Sequence, residues 1–132
     1  MTPVPHAARP RIAVLADDLI WSTRLVDGVR RVGGDPVPVR SATTLDGVLP
    51  SVAGCIVDTT ARAYDGIGCL GAATAAGVPA IAVGQHDDAA TRHAARAAGA
   101  AKVYSYRALF EHGDRELGVW IGSLDARMED PP

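Results

Sequence analysis

RIAVLADD, residues 11–18, decides the fold, because it joins a short apolar run to two consecutive aspartates. A run without polar residues is typical of a strand that is buried on both faces of a sheet. Helical periodicity follows, and it ends at Gly33 and Gly34. The side chains that this period puts on one helix face are Leu19, Ile20, Thr23, Val26, Val29 and Val32. The stretch therefore predicts a strand, an acidic turn and a helix.

The same alternation of strand and helix recurs along the chain. Further strands are predicted at 36–40, 54–58, 78–83 and 102–106, and further helices at 41–49, 65–76, 87–98 and 114–124. Prolines 36 and 38 suit an edge strand, because proline has no N–H to donate to a ladder. Five such units predict an α/β fold: a doubly wound, five-stranded parallel sheet in the order 2-1-3-4-5, with helices on both faces.

Length and composition limit the class of protein. The chain has 132 residues, 48% hydrophobic and 21% charged, so we expect one domain over residues 10–125, with flexible tails at 1–9 and 126–132. A net charge of −2 gives no basic field for direct nucleic-acid binding. No run is long enough to span a membrane, and the first residues do not resemble a signal peptide, so we expect a cytoplasmic protein.

Acidic side chains follow two of the predicted strands. Asp17 and Asp18 follow the first strand, and Asp58 ends the third. In this kind of sheet the carboxyl ends of the strands form the ligand site. Three carboxylates repel one another there unless a hard cation such as Mg²⁺ neutralises them, and one of them is then a candidate nucleophile toward a phosphoryl group. Alternatively, Asp18 caps a helix and Asp58 caps a turn.

The order and spacing of these residues resemble a known family. The acidic pair Asp17-Asp18 follows the first predicted strand, Asp58 ends the third, and the pair Asp65-Gly66 opens the next helix. The segments VPAIAV at 78–83 and AARAAGA at 94–100 come after them. Over roughly residues 10–125 the chain is similar to the receiver domains of bacterial two-component response regulators. The resemblance implies a flavodoxin-like, CheY-like fold and Asp58 as phosphoacceptor. It also implies a weak Mg²⁺ site on Asp17, Asp18, Asp58 and the backbone carbonyl of Thr60.

Two positions depart from the family pattern. Gly84 stands where the family has a Ser or Thr hydroxyl, and Tyr106, followed by Arg107, stands where it has a lysine. The sole lysine, Lys102, lies at the opposite end of the predicted strand. The acidic pocket is therefore retained and the switch residues are lost, which predicts a degenerate receiver, or pseudo-receiver.

Three functions fit this reading. The first is a non-enzymatic signalling or interaction module that meets a histidine kinase, a downstream effector or a second copy of itself through residues 102–124. The side chains that suggest such a surface are Tyr104, Tyr106, Arg107, Phe110 and Trp120, of which Trp120 is expected in the core. The second is a working receiver that is phosphorylated on Asp58, with Arg107 replacing the lysine. The third is a small phosphatase-like hydrolase that uses Asp17 or Asp58.

Overall fold

The computed structural model describes residues 9–85 and 88–129. Within these residues five strands alternate with five α-helices. The strands are β1 (Arg11–Leu15), β2 (Asp35–Val39), β3 (Gly54–Asp58), β4 (Ala80–Gly84) and β5 (Lys102–Ser105). The helices are α1 (Leu19–Arg31), α2 (Ala42–Val48), α3 (Gly66–Ala75), α4 (Ala89–Ala97) and α5 (Tyr106–Glu129). A short 3₁₀ turn, Leu49–Ser51, follows α2.

The strands form one parallel sheet in the order β2-β1-β3-β4-β5, which confirms the predicted topology. Their register aligns the carboxyl ends: Leu15 pairs with Val57, and Asp58 pairs with Val83. The residues that follow β1, β3 and β4 therefore meet at one edge of the sheet.

Each face of the sheet is covered by its own layer of helices. Ile12 and Val14 of β1 pack into a core with α1 and α5, whereas Ala13 and Leu15 pack into a core with α2, α3 and α4. Every residue of β3 and β4 is buried, as the apolar runs predicted. The free thiols of Cys55 and Cys69 are buried in the second core.

The first turn of α1 corrects the predicted apolar face. Leu19 and Ile20 are 69% and 65% exposed, and the buried face is built by residues further along the helix, such as Leu25 and Val29. Because the turn starts directly after the cap Asp18, it lies at the carboxyl edge of the sheet rather than over it. Thr23, which the same spacing puts on that face, is exposed as well. The spacing identified the helix but assigned these three side chains to the wrong environment.

The last helix also differs from the prediction, since it begins at Tyr106 rather than at residue 114. Strand β5 ends at Ser105, whose hydroxyl accepts a hydrogen bond from the Ala108 N–H at 3.1 Å and so starts the helix without a connecting loop. The helix continues to Glu129, past the predicted domain end. Residues 1–8 and 130–132 of the predicted tails lie outside the described residues. Over the described ranges, no helix is long and apolar enough to cross a membrane.

Strand β2 forms one edge of the sheet. The Asp35 N–H donates to the Pro10 carbonyl at 2.8 Å, so Asp35, Val37 and Val39 direct their backbone groups toward β1. Pro36 and Pro38 occupy the alternate positions, which face outward. The prolines therefore remove no bond from the ladder.

Candidate functional site

A cavity of about 500 Å³ opens at the carboxyl edge of the sheet. It brings the three predicted aspartates together, and we call it the acidic pocket. Its walls include Asp17, Asp18, Trp21, Asp58, Thr60 and Gln85, together with Ala61 and Arg62 from the loop after β3. The three carboxylates reach the pocket from the turn after β1 and from the end of β3.

Asp58 is the most enclosed of the three carboxylates, with 2% of the residue exposed. Its Oδ1 accepts hydrogen bonds from the Thr60 N–H at 2.9 Å and from the Thr60 hydroxyl at 2.6 Å. A buried carboxylate is tolerated only with such partners. Thr60 thus holds Asp58 through its amide and hydroxyl, which is a different role from the predicted carbonyl ligand.

Asp18 and Asp17 accept hydrogen bonds from the backbone amides of two different segments. Asp18 Oδ1 accepts from the N–H groups of Ile20 and Trp21, so this carboxylate caps α1 while it lines the pocket. Asp17 Oδ2 accepts from the N–H groups of Arg62 and Ala63, both at 3.2 Å. The cap interpretation and the pocket interpretation therefore apply to Asp18 at once.

Tyr64, which the sequence did not single out, ties the loop after β3 to the sheet. Its hydroxyl lies 3.0 Å from the Leu15 carbonyl oxygen and 2.8 Å from the Asp58 carbonyl oxygen. Burial, followed by the charges of Asp58 and Asp17, raises the pKa of this phenol above its ordinary value, so it remains a neutral donor. Nothing in the sequence around Tyr64 indicates that its hydroxyl binds two backbone carbonyls of the sheet.

Tyr106 packs behind the wall residue Trp21 and does not itself line the pocket. The residue is 3% exposed, and burial, followed by the charge and proximity of the Asp58 carboxylate, raises the pKa of its hydroxyl. No hydrogen bond of good geometry reaches that hydroxyl among the described residues, although the Asp58 carboxylate lies close enough to act on it as an acceptor. A neutral phenol therefore lies next to Asp58.

The other two predicted switch positions, Gly84 and Arg107, place no side-chain group beside Asp58. Gly84 ends β4 and has no side chain to offer a hydroxyl. Arg107 is 87% exposed and forms an ion pair with Glu111 at 3.1 Å, one turn along α5. Its guanidinium is thus held on the helix surface rather than in the pocket.

Aromatic rings connect the pocket to α5. Trp21 stacks on Tyr106 with ring centroids 4.0 Å apart, and Phe110 lies 5.5 Å from Trp21 and 5.7 Å from Tyr106. The Arg24 guanidinium lies over the Trp21 and Phe110 rings. The predicted site did not include Trp21. The structure makes it a wall of the site.

The pocket offers only oxygen ligands, which is the donor chemistry that a hard divalent cation prefers. However, among the residues described, no three His, Cys, Asp or Glu side chains are close enough to hold a metal ion. One oxygen of each carboxylate is already bound by backbone or hydroxyl donors. The oxygen donors are therefore of the type that Mg²⁺ prefers, but the three carboxylates would have to move closer to one another to bind it.

The predicted helix at 87–98 starts in part outside the described residues, since His86 and Asp87 are not among them. Asp88 caps α4 by accepting a hydrogen bond from the Thr91 N–H at 2.7 Å. This matches the prediction of a helix start at that point.

Known proteins are similar to this chain in structure but not detectably in sequence. No family profile matches the chain, and no curated protein sequence is similar to it. Solved structures, in contrast, match almost the whole chain. The receiver domain of a Francisella response regulator is 15% identical, with a TM-score of 0.73, over 92% of this chain and 100% of that one. A two-component response regulator from Clostridium difficile is 12% identical, with a TM-score of 0.75, over 92% and 100%.

The chain has the response-regulator receiver fold. A third similar structure is the receiver domain of a sensor histidine kinase from Pseudomonas aeruginosa, which has a magnesium ion in its active-site cleft. It is 18% identical, with a TM-score of 0.73, and the match covers 86% of this chain and 98% of that one. At these identities the likeness establishes the receiver fold, whereas the chemistry of the pocket has to be argued from its own residues.

Proposed function

We propose that the chain is a receiver-like interaction module of the pseudo-receiver type. The observation that carries this proposal is the Asp58 carboxylate beside a neutral, buried Tyr106 hydroxyl, with no side chain on Gly84. In this proposal the domain spans residues 10–125, works in the cytoplasm and is not an enzyme. The receiver fold supports the signalling part of the proposal.

The physical argument concerns the energy available for switching. A phosphoryl group on Asp58 would meet a phenol, which offers one neutral hydrogen bond, and a charge-assisted bond is roughly twice as strong. A ligand shifts a two-state equilibrium only by its differential affinity for the two states. Phosphorylation would therefore favour an active state weakly.

A weak Mg²⁺ site on Asp17, Asp18, Asp58 and the Thr60 carbonyl is part of the proposal. The magnesium in the cleft of the Pseudomonas receiver domain supports it by analogy. Binding is expected to be weak because backbone amides fix one oxygen of each carboxylate, and the three carboxylates would have to move together to share a cation.

The partner surface is proposed on β5 and α5, residues 102–124. Phe110 and Val119 are exposed there, at 37% and 69%, whereas Tyr106 and Trp120 are buried in the core and do not contribute. An exposed aromatic beside arginines suits a protein interface. A histidine kinase, a downstream effector or a second copy of the chain is the proposed occupant.

Paired NMR spectra with and without beryllofluoride and Mg²⁺ test the proposal, because beryllofluoride mimics an acyl phosphate on aspartate. We expect no change in oligomeric state and no appreciable shift across residues 102–124. Large shifts across β5 and α5 would instead identify a working receiver that is phosphorylated on Asp58. Hydrolysis of a phosphate monoester that disappears in Asp58→Asn would favour the phosphatase-like alternative.

A further inference from the structure

We propose that two copies of this chain join their β5 strands, edge to edge and antiparallel, into one continuous sheet. The inference rests on the proposed function and deepens it, because it names a second copy of the chain as the occupant of the surface on β5 and α5. The contacts that carry it are backbone hydrogen bonds at Lys102 and Tyr104 and a pair of opposite charges.

Strand β5 has an open edge, because it is the outermost strand on the side of the sheet opposite to β2. The Ala101 N–H donates to the Ala80 carbonyl at 2.8 Å, so Ala101 and every second residue after it direct their backbone groups toward β4. Lys102 and Tyr104 occupy the alternate positions and direct their N–H and carbonyl groups away from the sheet. An edge that keeps both donors and acceptors is a template for another strand.

The positions of these outward groups select the register of a symmetric pair. In an antiparallel pair, two directly opposed residues that face each other exchange both of their hydrogen bonds. A two-fold axis through Val103 places Lys102 opposite Tyr104 of the second copy, and the reverse, so every outward N–H meets a carbonyl. An axis through Lys102 would oppose two like charges, which is destabilising. An axis through Tyr104 would oppose Lys102 to Tyr106, which already belongs to α5.

In this register the side chains of Lys102 and Tyr104 meet on the α5 side of the sheet. Tyr104 packs against the core beneath α1 and α5, whereas Val103 packs against the core on the other face. Lys102 shares the side of Tyr104, because side chains alternate along a strand. Directly opposed residues lie on the same face with Cβ atoms about 4.5–5.5 Å apart. The Lys102 side chain of one copy therefore lies beside the Tyr104 ring of the other, where a cation–π contact is possible.

Glu116 of α5 supplies the complementary charge. Burial, followed by the charge of Glu116, raises the pKa of the Tyr104 hydroxyl, so the Glu116 carboxylate lies near that phenol. Lys102 and Glu116 are both exposed, and neither forms an ion pair with a described residue of its own chain. A lysine at a sheet edge discourages association with a basic neighbour. In this register it instead meets the carboxylate beside Tyr104 of the second copy.

The interface is small, because β5 contributes 4 residues from each copy. Complexes that bury less than about 1,200 Å² are weak and transient, so we expect a dimer that forms only at high protein concentration. The contacts do not involve Asp58. The dimer should therefore form equally with and without beryllofluoride, in agreement with the proposed function.

The first experiment follows amide hydrogen exchange by NMR, together with sedimentation velocity, at protein concentrations up to about 1 mM, the range of weak complexes. We expect a dimer to appear and exchange at the Lys102 and Tyr104 amides to slow several-fold as the concentration rises. The Val103 amide faces β4 and should be protected throughout. Exchange at Lys102 and Tyr104 that does not depend on concentration would overturn the proposal.

The second experiment removes one outward donor. Lys102→Pro deletes the N–H that faces the second copy and no bond to β4, whereas Lys102→Gln deletes the same charge and keeps the N–H. We expect no dimer in Lys102→Pro and a several-fold weaker dimer in Lys102→Gln. Protection of the Val103 amide reports that each variant is folded. A dimer that persists in folded Lys102→Pro would place the interface elsewhere and overturn the proposal.

The third experiment exchanges the charges between copies. Lys102→Glu and Glu116→Lys should each weaken self-association several-fold, because like charges then meet at the interface. In an equimolar mixture of the two variants, a mixed dimer has opposite charges at both contacts and should form as readily as the dimer of the unaltered chain. No recovery in the mixture would overturn the proposed pairing. Such a failure leaves the beryllofluoride spectra unaffected, so it is distinguishable from failure of the proposed function.

Discussion

Trp21 and Tyr106 stack at 4.0 Å with their ring planes 23° apart, and this contact joins the first turn of α1 to the first turn of α5. Trp21 follows the acidic pair closely in the chain and lines the acidic pocket, whereas the Tyr106 hydroxyl lies next to Asp58. The wall of the pocket and the start of the last helix are therefore parts of one packed unit.

Replacing Trp21 with alanine should destabilise the protein by removing this stack. We expect a loss of about 2 kcal/mol, less than the roughly 3–5 kcal/mol of a fully buried aromatic, because Trp21 is half-buried. Trp21→Phe should recover most of the loss. Urea denaturation measures both, and Val119→Ala on the exposed face of α5 serves as a control, with a change within about 0.5 kcal/mol. A loss in Trp21→Ala no larger than in the control would contradict a structural stack.

Two tyrosine-to-phenylalanine variants should have opposite effects on stability. Tyr106→Phe deletes a buried hydroxyl that no hydrogen bond of good geometry reaches among the described residues, so the free energy of unfolding should stay constant or rise by about 1 kcal/mol. Tyr64→Phe deletes a hydroxyl that lies against the Leu15 and Asp58 carbonyls, so the free energy of unfolding should fall by about 1 kcal/mol. Chemical denaturation measures the free energy of unfolding of both variants. A larger loss in Tyr106→Phe than in Tyr64→Phe would show that the Tyr106 hydroxyl, and not that of Tyr64, is hydrogen-bonded.

Mg²⁺ should bind in the millimolar range and quench or shift the Trp21 signal. Asp58→Ala should abolish the response, because Asp58 is the innermost carboxylate of the pocket. Calorimetry and the Trp21 indole NMR signal provide two readouts, and the Asp46→Asn variant controls for net charge. An unchanged response in Asp58→Ala would place the cation elsewhere.

The protein should lose stability at alkaline pH through Cys55. Burial raises the pKa of this thiol from 9.0 to about 12, so above about pH 9 the unfolded chain loses a proton that the folded chain keeps. The free energy of unfolding should then fall with pH by up to about 1.4 kcal/mol per unit for this group. Tyr64 and Tyr106, whose pKa values are also raised, add to the fall above their ordinary value of 10.

Urea denaturation under reducing conditions, at several pH values between about 8 and 10, measures this slope. Cys55→Ala should make the slope shallower by up to the contribution of one proton. An identical slope in the variant would mean that the Cys55 thiol titrates alike in the folded and unfolded chains.

The sequence predicts the fold well because each strand carries its own signal. Apolar runs such as 54–58 fit strands buried on both faces, and the prolines of β2 indicate an edge. The residues at the ends of elements are harder to predict. The start of α5 was missed because polar residues and Gly113 dilute the helical period, and the cap at Ser105 becomes visible only in the hydrogen bond to Ala108.

The candidate site, like the fold, could be predicted in part from the sequence. Strand ends bring Asp17, Asp18 and Asp58 to one cavity, as the topology predicts. Contacts between distant segments, such as the Tyr64 hydroxyl at the Leu15 carbonyl or the ring of Trp21 on Tyr106, depend on side-chain direction. No spacing in the sequence encodes them.

The outward-facing prolines of β2 have a consequence for self-association. At positions 36 and 38 the free border of the sheet offers carbonyl acceptors but no N–H donors, so another extended chain cannot complete a ladder there. Growth into a continuous intermolecular sheet, the route to fibrils, is therefore blocked on this side of the molecule. The other edge strand, β5, contains no proline and keeps its N–H donors.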